Sequence, residues 1–116
     1  MKKLLVIITK APYGTTAAAE GFRAAIGLAG MDINTTIVLI NDAVFAALKG
    51  QNPKAIGMKA LSEVIESARE YGARTLVDSE SLRKRGIEKD ELVNIEIIDT
   101  EGLADLVHEV NAAIRF

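Results

Sequence analysis

The chain has 116 residues, a formal net charge of −2 and no cysteine; 49% of it is hydrophobic and 4% aromatic, without tryptophan. That length fits one domain over residues 1–116, burying roughly two-thirds of the surface its unfolded chain exposes. The acidic balance and scarcity of rings argue against a nucleic-acid-binding face, and no apolar run reaches the ~20 residues of a membrane span. A mean hydropathy of +0.20 is high for so small a domain, which has little interior in which to hide apolar side chains. The surplus predicts an oligomer, although the alanine runs at Ala17–Ala19 and Ala112–Ala113 inflate the count. With neither disulfides nor an export signal, the expected compartment is the cytoplasm.

In chain order, Lys2 to Thr9 is a continuous apolar run opened by charge and reads as a buried strand. It leads through Ala11-Pro12-Tyr13-Gly14-Thr15-Thr16 into an alanine-rich helix starting at Thr15 or Thr16. Phe22, Ala25, Ile26 and Ala29 give that helix one apolar face, and Gly30 is the predicted residue just past its end. Thr35–Ile40 is β-branched and apolar, as expected of a strand covered on both faces. Asn41-Asp42 then reads as the cap of a short helix over Ala43–Leu48, followed by a loop through Gly50, Gln51, Asn52 and Pro53. Met58, Leu61, Ile65 and Ala68 form the stripe of the next helix, which ends at Tyr71-Gly72. Arg74–Val77 is a third strand, Ser81–Arg85 a single helical turn stopped by Gly86, and Asn94–Ile98 a fourth strand. Thr100 reads as the cap of a helix with the stripe Leu103, Leu106, Val107 and Val110; the segment Ala113–Phe116 favours a fifth strand over a last helical turn. Strands alternating with helices predict a three-layer α/β/α sandwich, flavodoxin-like in outline, around a mostly parallel sheet of about five strands.

Several segments support a family resemblance. Ala11-Pro12-Tyr13-Gly14-Thr15 after the first strand, Asn41-Asp42-Ala43-Val44 with Leu48–Pro53, Ser81–Ile87, and the closing Ile114-Arg115-Phe116 together resemble the DsrE/DsrF-like sulfur-relay family, including its YchN-type branch. The resemblance runs nearly end to end. It implies a compact α/β sandwich assembling into trimers or hexamers, some members of which hand sulfane sulfur along protein persulfides. It also implies a working cysteine at the end of the third strand, where this sequence has Asp78, and in some members a second cysteine where it has Ser81.

That substitution decides the chemistry. A persulfide carrier needs a thiolate that attacks sulfane sulfur and then holds it as S–SH. A carboxylate forms no equivalent bond, a serine hydroxyl without a base is a far weaker nucleophile, and a thioether has no proton to lose. A chain without cysteine is therefore not itself a persulfide carrier.

Each candidate site has a plainer alternative. Asp78, Ser79 and Ser81 fit a polar pocket at the carboxyl edge of the sheet, and equally fit the cap of the following helical turn. Tyr13, Gly14 and Thr15 fit an anion niche at the first helix N-terminus, yet one glycine without G-x-G-x-x-G or a Walker lysine gives little support for a nucleotide, and Gly14 is also a turn residue. Arg83-Lys84-Arg85 could meet an acidic partner or simply complement a helix C-terminus. His108, the only histidine, has no second ligand in the sequence pattern; no metal, cofactor or catalytic residue is expected.

The reading is a non-catalytic, cysteine-free DsrE/DsrF-like protein, a structural or partner-docking component in or near sulfur relay. It is expected as a homo-oligomer (trimer or hexamer) or as a subunit in a hetero-oligomer with cysteine-bearing relatives, binding neither nucleic acid nor membrane. The loop Gly50, Gln51, Asn52 and Pro53 is placed near Asp78, Ser79 and Ser81. The alternative is a stand-alone homo-oligomeric protein that binds a small anion or a nucleotide.

Overall fold

The structure is a computed structural model that describes residues 2–49 and 61–116, with the side chains of the second stretch described from Glu63 onward. The predicted loop Gly50, Gln51, Asn52 and Pro53, and Met58 of the predicted stripe, lie outside the described residues. The first strand, β1 (Lys3–Ile8), is followed by α1 (Ala17–Gly30), β2 (Asn34–Leu39) and a 3-10 helix over Asn41–Ala47. Next come α2 (Leu61–Glu70), β3 (Arg74–Asp78), α3 (Ser79–Lys84) and a short 3-10 turn, Lys89–Glu91. The chain continues through β4 (Glu96–Ile98), α4 (Thr100–Glu109) and β5 (Ala112–Arg115).

The strands form one five-stranded sheet in the order β4-β3-β2-β1-β5. Every strand pairing in it is parallel. The only antiparallel contact among the described residues is an isolated bridge between Leu48 and Leu92. A parallel sheet needs cover on both faces, and the alternation along the strands supplies two cores. Val6, Ile8, Ile37, Leu39 and Val77 face one way, against Ala18, Phe22 and Ala25 of α1, Ile65 and Ala68 of α2, and Leu82 of α3. Leu5, Val38 and Leu76 face the other way, against Leu103 and Leu106 of α4 and Val110 just past its end. The result is the three-layer sandwich expected from the sequence, with the last segment adopting the strand rather than the helical alternative.

Five local expectations need correction. Helix α1 runs through Gly30, and the left-handed position falls at Asp32 (φ 62°), whose short polar side chain tolerates it. The cap of α4 is Asp99, one residue before Thr100: its Oδ1 accepts the Gly102 N–H at 2.7 Å, and a carboxylate suits the positive helix end better than a hydroxyl. Asn41-Asp42 does not cap a helix; Ile40 precedes the 3-10 helix that Asn41 opens with φ 53°. Strand β4 begins at Glu96 rather than Asn94, whose carbonyl is turned to Arg69 Nη2 at 2.6 Å. Val107, placed in the α4 stripe by its spacing, is 46% exposed.

Two features set how tightly the layers and strands are joined. A Cβ on Gly21 would sit 2.8 and 2.9 Å from Ile8 Cγ1 and Cδ1 and 3.3 Å from Phe116 Cδ2, so α1 lies on β1 at a distance only glycine allows. Arg74 on β3 holds Glu96 on β4 through two hydrogen bonds of 2.9 Å, and Lys3 pairs with Glu109. Hydrogen bonding to these cations holds both carboxyls below the usual carboxylate range.

The glycine contacts predict opposite effects at two positions of one helix. Gly21→Ala should lose about 1–3 kcal/mol through overpacking, because Ile8 is fully buried and cannot swing away. Gly27→Ala, with nothing within 4 Å of the new methyl, should gain up to about 1 kcal/mol of helix propensity in urea unfolding. The lowered carboxyl pKa values of Glu96 and Glu109 give stability that is complete above about pH 4.3 and lost as the pH falls through their folded-state values. Thermal melts should therefore shift downward below that pH. Glu96→Gln should flatten part of the shift by no more than about 1 kcal/mol, since the pair is largely exposed.

Candidate functional site at the carboxyl edge of the sheet

Because the strands are parallel, all their exits lie on one edge. The chain leaves β3 into α3 on the α1 side of the sheet and leaves the neighbouring β4 into α4 on the opposite side. Open α/β sheets place ligands outside the carboxyl ends of their strands. Asp78 stands on that edge as the last residue of β3.

Asp78 and its neighbours are tied into one buried network. Asp78 is 8% exposed and Ser81 4%. The Asp78 Oδ2 accepts the Ser81 N–H at 3.1 Å and the Ser81 hydroxyl at 2.6 Å, so the carboxylate caps α3 while fixing the rotamer of Ser81. The same hydroxyl oxygen accepts the Asn41 N–H from the β2 exit at 2.8 Å. The left-handed backbone of Asn41 aims that N–H across the gap, which explains an asparagine after the strand. Arg85 closes the arrangement. Its Nε and Nη2 donate to Asp42 Oδ1 at 3.0 and 2.8 Å, and its Nη1 donates to the Ser81 carbonyl at 3.2 Å.

The chemistry available here follows from those bonds. The Ser81 proton is committed to Asp78, and the histidine that would complete a nucleophilic relay stands exposed on α4 as His108. Among the described residues no group of three or more His, Cys, Asp or Glu side chains converges as a metal site would require. The arrangement holds the β2 and β3 exits together and presents no activated nucleophile.

The residues singled out in the sequence are distributed unevenly. Asp78 and Ser81 are brought together, whereas Ser79 lines a neighbouring hollow of about 300 Å3 with Leu82, Arg83, Gly86, Ile87, Glu88, Lys89 and Ile97. Tyr13, Gly14 and Thr15 sit at the exit of β1, separated from β3 by β2, which is about 10 Å in strand spacings. Tyr13 is half-buried, Gly14 takes φ 91° as a turn glycine, and the Thr15 hydroxyl accepts the Ala17 N–H at 3.4 Å. The basic run does not act as one surface: Arg83 pairs with Glu80, Arg85 with Asp42, and Lys84 is exposed between them. Sequence reasoning read Asp42 as a cap and Arg85 as part of a basic run, and missed that the two meet in this network. Their spacing of 43 residues left no local signal.

Topology and site together define a parallel α/β sandwich whose divergent β3 and β4 exits frame a polar sheet edge. The model of the DsrE/DsrF-like family matches residues 2–116, and the chain belongs to that family. It is 31% identical over 132 residues to the intracellular sulfur oxidation protein DsrF of Allochromatium vinosum, covering 100% of this chain and 97% of DsrF. It is 30% identical over 105 residues to a TusC homolog of Vibrio parahaemolyticus, covering 90% of this chain and 86% of that protein. The crystal structure of YchN from E. coli has the same fold, with a TM-score of 0.90 at 24% identity over the full length of both chains.

The network predicts graded losses on substitution. Asp78→Ala should cost about 1–3 kcal/mol, combining a lost cap with an unpaired buried serine. Asp78→Asn should cost less, because an amide oxygen still accepts from Ser81. Ser81→Ala should cost about 1 kcal/mol or more by orphaning the Asn41 N–H, all read from urea midpoints at constant slope.

Proposed function

We propose that this chain is a thiol-free subunit of a sulfur-relay assembly in the cytoplasm, shaping the complex or docking a carrier without itself holding the sulfur. The observation that carries the reading is the buried Asp78 carboxylate at the end of β3, hydrogen-bonded to Ser81, in a sequence that has no cysteine. By family resemblance this is the position of the working thiol. Similarity to a sulfur oxidation protein and to a TusC homolog supports the sulfur context. The chemistry of persulfides then excludes the carrier role for this subunit.

In this reading Asp78, Ser79 and Ser81 mark a vestigial site, with Tyr13, Gly14 and Thr15 on the same edge. The subunit assembles with its own copies or with cysteine-bearing relatives, and the edge of the sheet is what it offers to them. At the start of α3 the Ser81 N–H is already taken by the Asp78 carboxylate.

Two measurements test the proposal together. After treatment with a sulfane-sulfur donor, the intact mass of the purified chain should show no stable gain of about 32 Da. Adding the chain to a cysteine-bearing relative from the same source should change the rate at which that relative passes its sulfur to an acceptor thiol. A stable adduct on this chain, or a transfer rate indifferent to it, overturns the proposal.

A further inference from the structure

β4 is an outer strand of the sheet, and among the described residues it pairs with β3 alone. Its other side presents unpaired backbone N–H and C=O groups, the kind of edge to which an extended segment adds as a further strand. Glu96, the one charged residue of β4, does not stand in the way. It is in register with Leu76, so its side chain lies on the α4 face, where Arg74 already holds it.

The opposite face of β4 is bordered by two hollows. Ile97 is in register with Val77 and so lies on the α1 side of the sheet, where it is 38% exposed. It lines a hollow of about 300 Å3 together with buried Leu82 and half-buried Ile87. Ile95, two residues earlier, lines a second hollow of about 360 Å3 with Leu92, Val93 and Asn94. Lys89 lines both, so the two adjoin. Residues two apart along a strand share a face and stand about 7 Å apart. A strand laid along β4 would thus send alternate side chains into successive hollows.

The charges around the hollows select what fills them. Lys49, Arg83 and Lys89 are cationic and Glu88 is the one anion, in a chain whose net charge is −2. Glu88 is turned to its own backbone, its carboxylate accepting a backbone N–H as one half of the capping box of the Lys89–Glu91 turn. Arg83 is paired with Glu80. The Lys49 ammonium donates to the Asp90 carbonyl at 3.0 Å and keeps two further N–H groups. Among the described residues Lys89 has no carboxylate partner. The uncompensated positive charge therefore belongs to the hollow of Lys49, Lys89 and Asn94, which has no acidic residue in its lining.

We propose that the β4 edge binds an extended segment of a partner protein as an added strand. An apolar residue of that segment sits against Leu82, Ile87 and Ile97, and a carboxylate residue two positions away meets Lys49 and Lys89. Main-chain hydrogen bonds to β4 supply affinity, and the two hollows supply selectivity for that pair. The proposal rests on the reading of this chain as a docking subunit and names the chemistry of what docks.

The test is an NMR titration of the isotope-labelled chain with the peptide Thr-Glu-Thr-Val-Thr-Glu-Thr, whose two glutamates suit either strand direction. The amides of Lys89 and of Ile95 to Ile98 should shift saturably by millimolar peptide, and the same peptide with lysine for both glutamates should not bind. Lys89→Glu should weaken binding by about fivefold or more, since attraction becomes repulsion. Lys49→Glu, on a different segment, should do the same and serves if the first variant does not fold. Absence of saturable shifts at this edge overturns the proposal, as does a lysine peptide that binds equally well or a folded variant that binds unchanged. So does movement of the same amides on dilution of the chain alone, which marks a second copy as the occupant. Inorganic phosphate that moves them as far as the peptide does marks a small-anion site and overturns it too. The titration involves no sulfur, so this surface and the relay role can fail separately.

Discussion

Parallel pairing is the constraint on which the remaining structure depends. β1 bonds to β2 on one side and β5 on the other, and its residues are buried alternately into two different cores. Because no strand runs backward, all the polar exits collect on one edge of the sheet. Asp78, as the last residue of β3, is set on that edge before any particular side chain is considered.

What happens at that position is governed by the electrostatics of the backbone. The N–H of Ser81 points back toward the end of β3 and stabilises whichever anion ends the strand. Here that anion is the Asp78 carboxylate, held as the cap of α3. The Asn41 N–H and the Arg85 bridge extend the network by binding Ser81 and Asp42 from neighbouring segments.

Much of the fold was legible in the sequence because burial on two faces leaves continuous apolar runs. Leu4–Ile8 and Thr36–Leu39 have no polar alternation to confuse with an exposed strand, and Phe22 and Ala25 give α1 its facing stripe. The ends of elements were less legible, since several short polar residues compete for each cap: Asp99 took the role read for Thr100, and Asp32 the left-handed position read for Gly30. Asp78 and Ser81 could be singled out because they are three residues apart and follow a strand. Asp42 and Arg85 were noted separately, as a cap and in a basic run, but their pairing could not be read, because their contact exists only once β2 and β3 are paired. The exposure of Val107 was hidden for a related reason: helical spacing gives the direction of a side chain but not whether a neighbouring strand reaches it.

The joining of β1 to β5 has a consequence for how the molecule opens. Lys3 and Asn111 exchange backbone and side-chain hydrogen bonds across 108 residues, and Thr9 reaches the Phe116 carbonyl across 107. Closing so long a stretch of chain carries the largest entropic penalty of any strand pairing here, whereas β1, β2 and β3 are linked in sequence order. Strand β5 is thus the last to be secured and the first to peel away, a reversible seam one strand in from the edge of the sheet. Peeling it would bare β1, the most apolar strand, while leaving the Asp78 network intact two strands away.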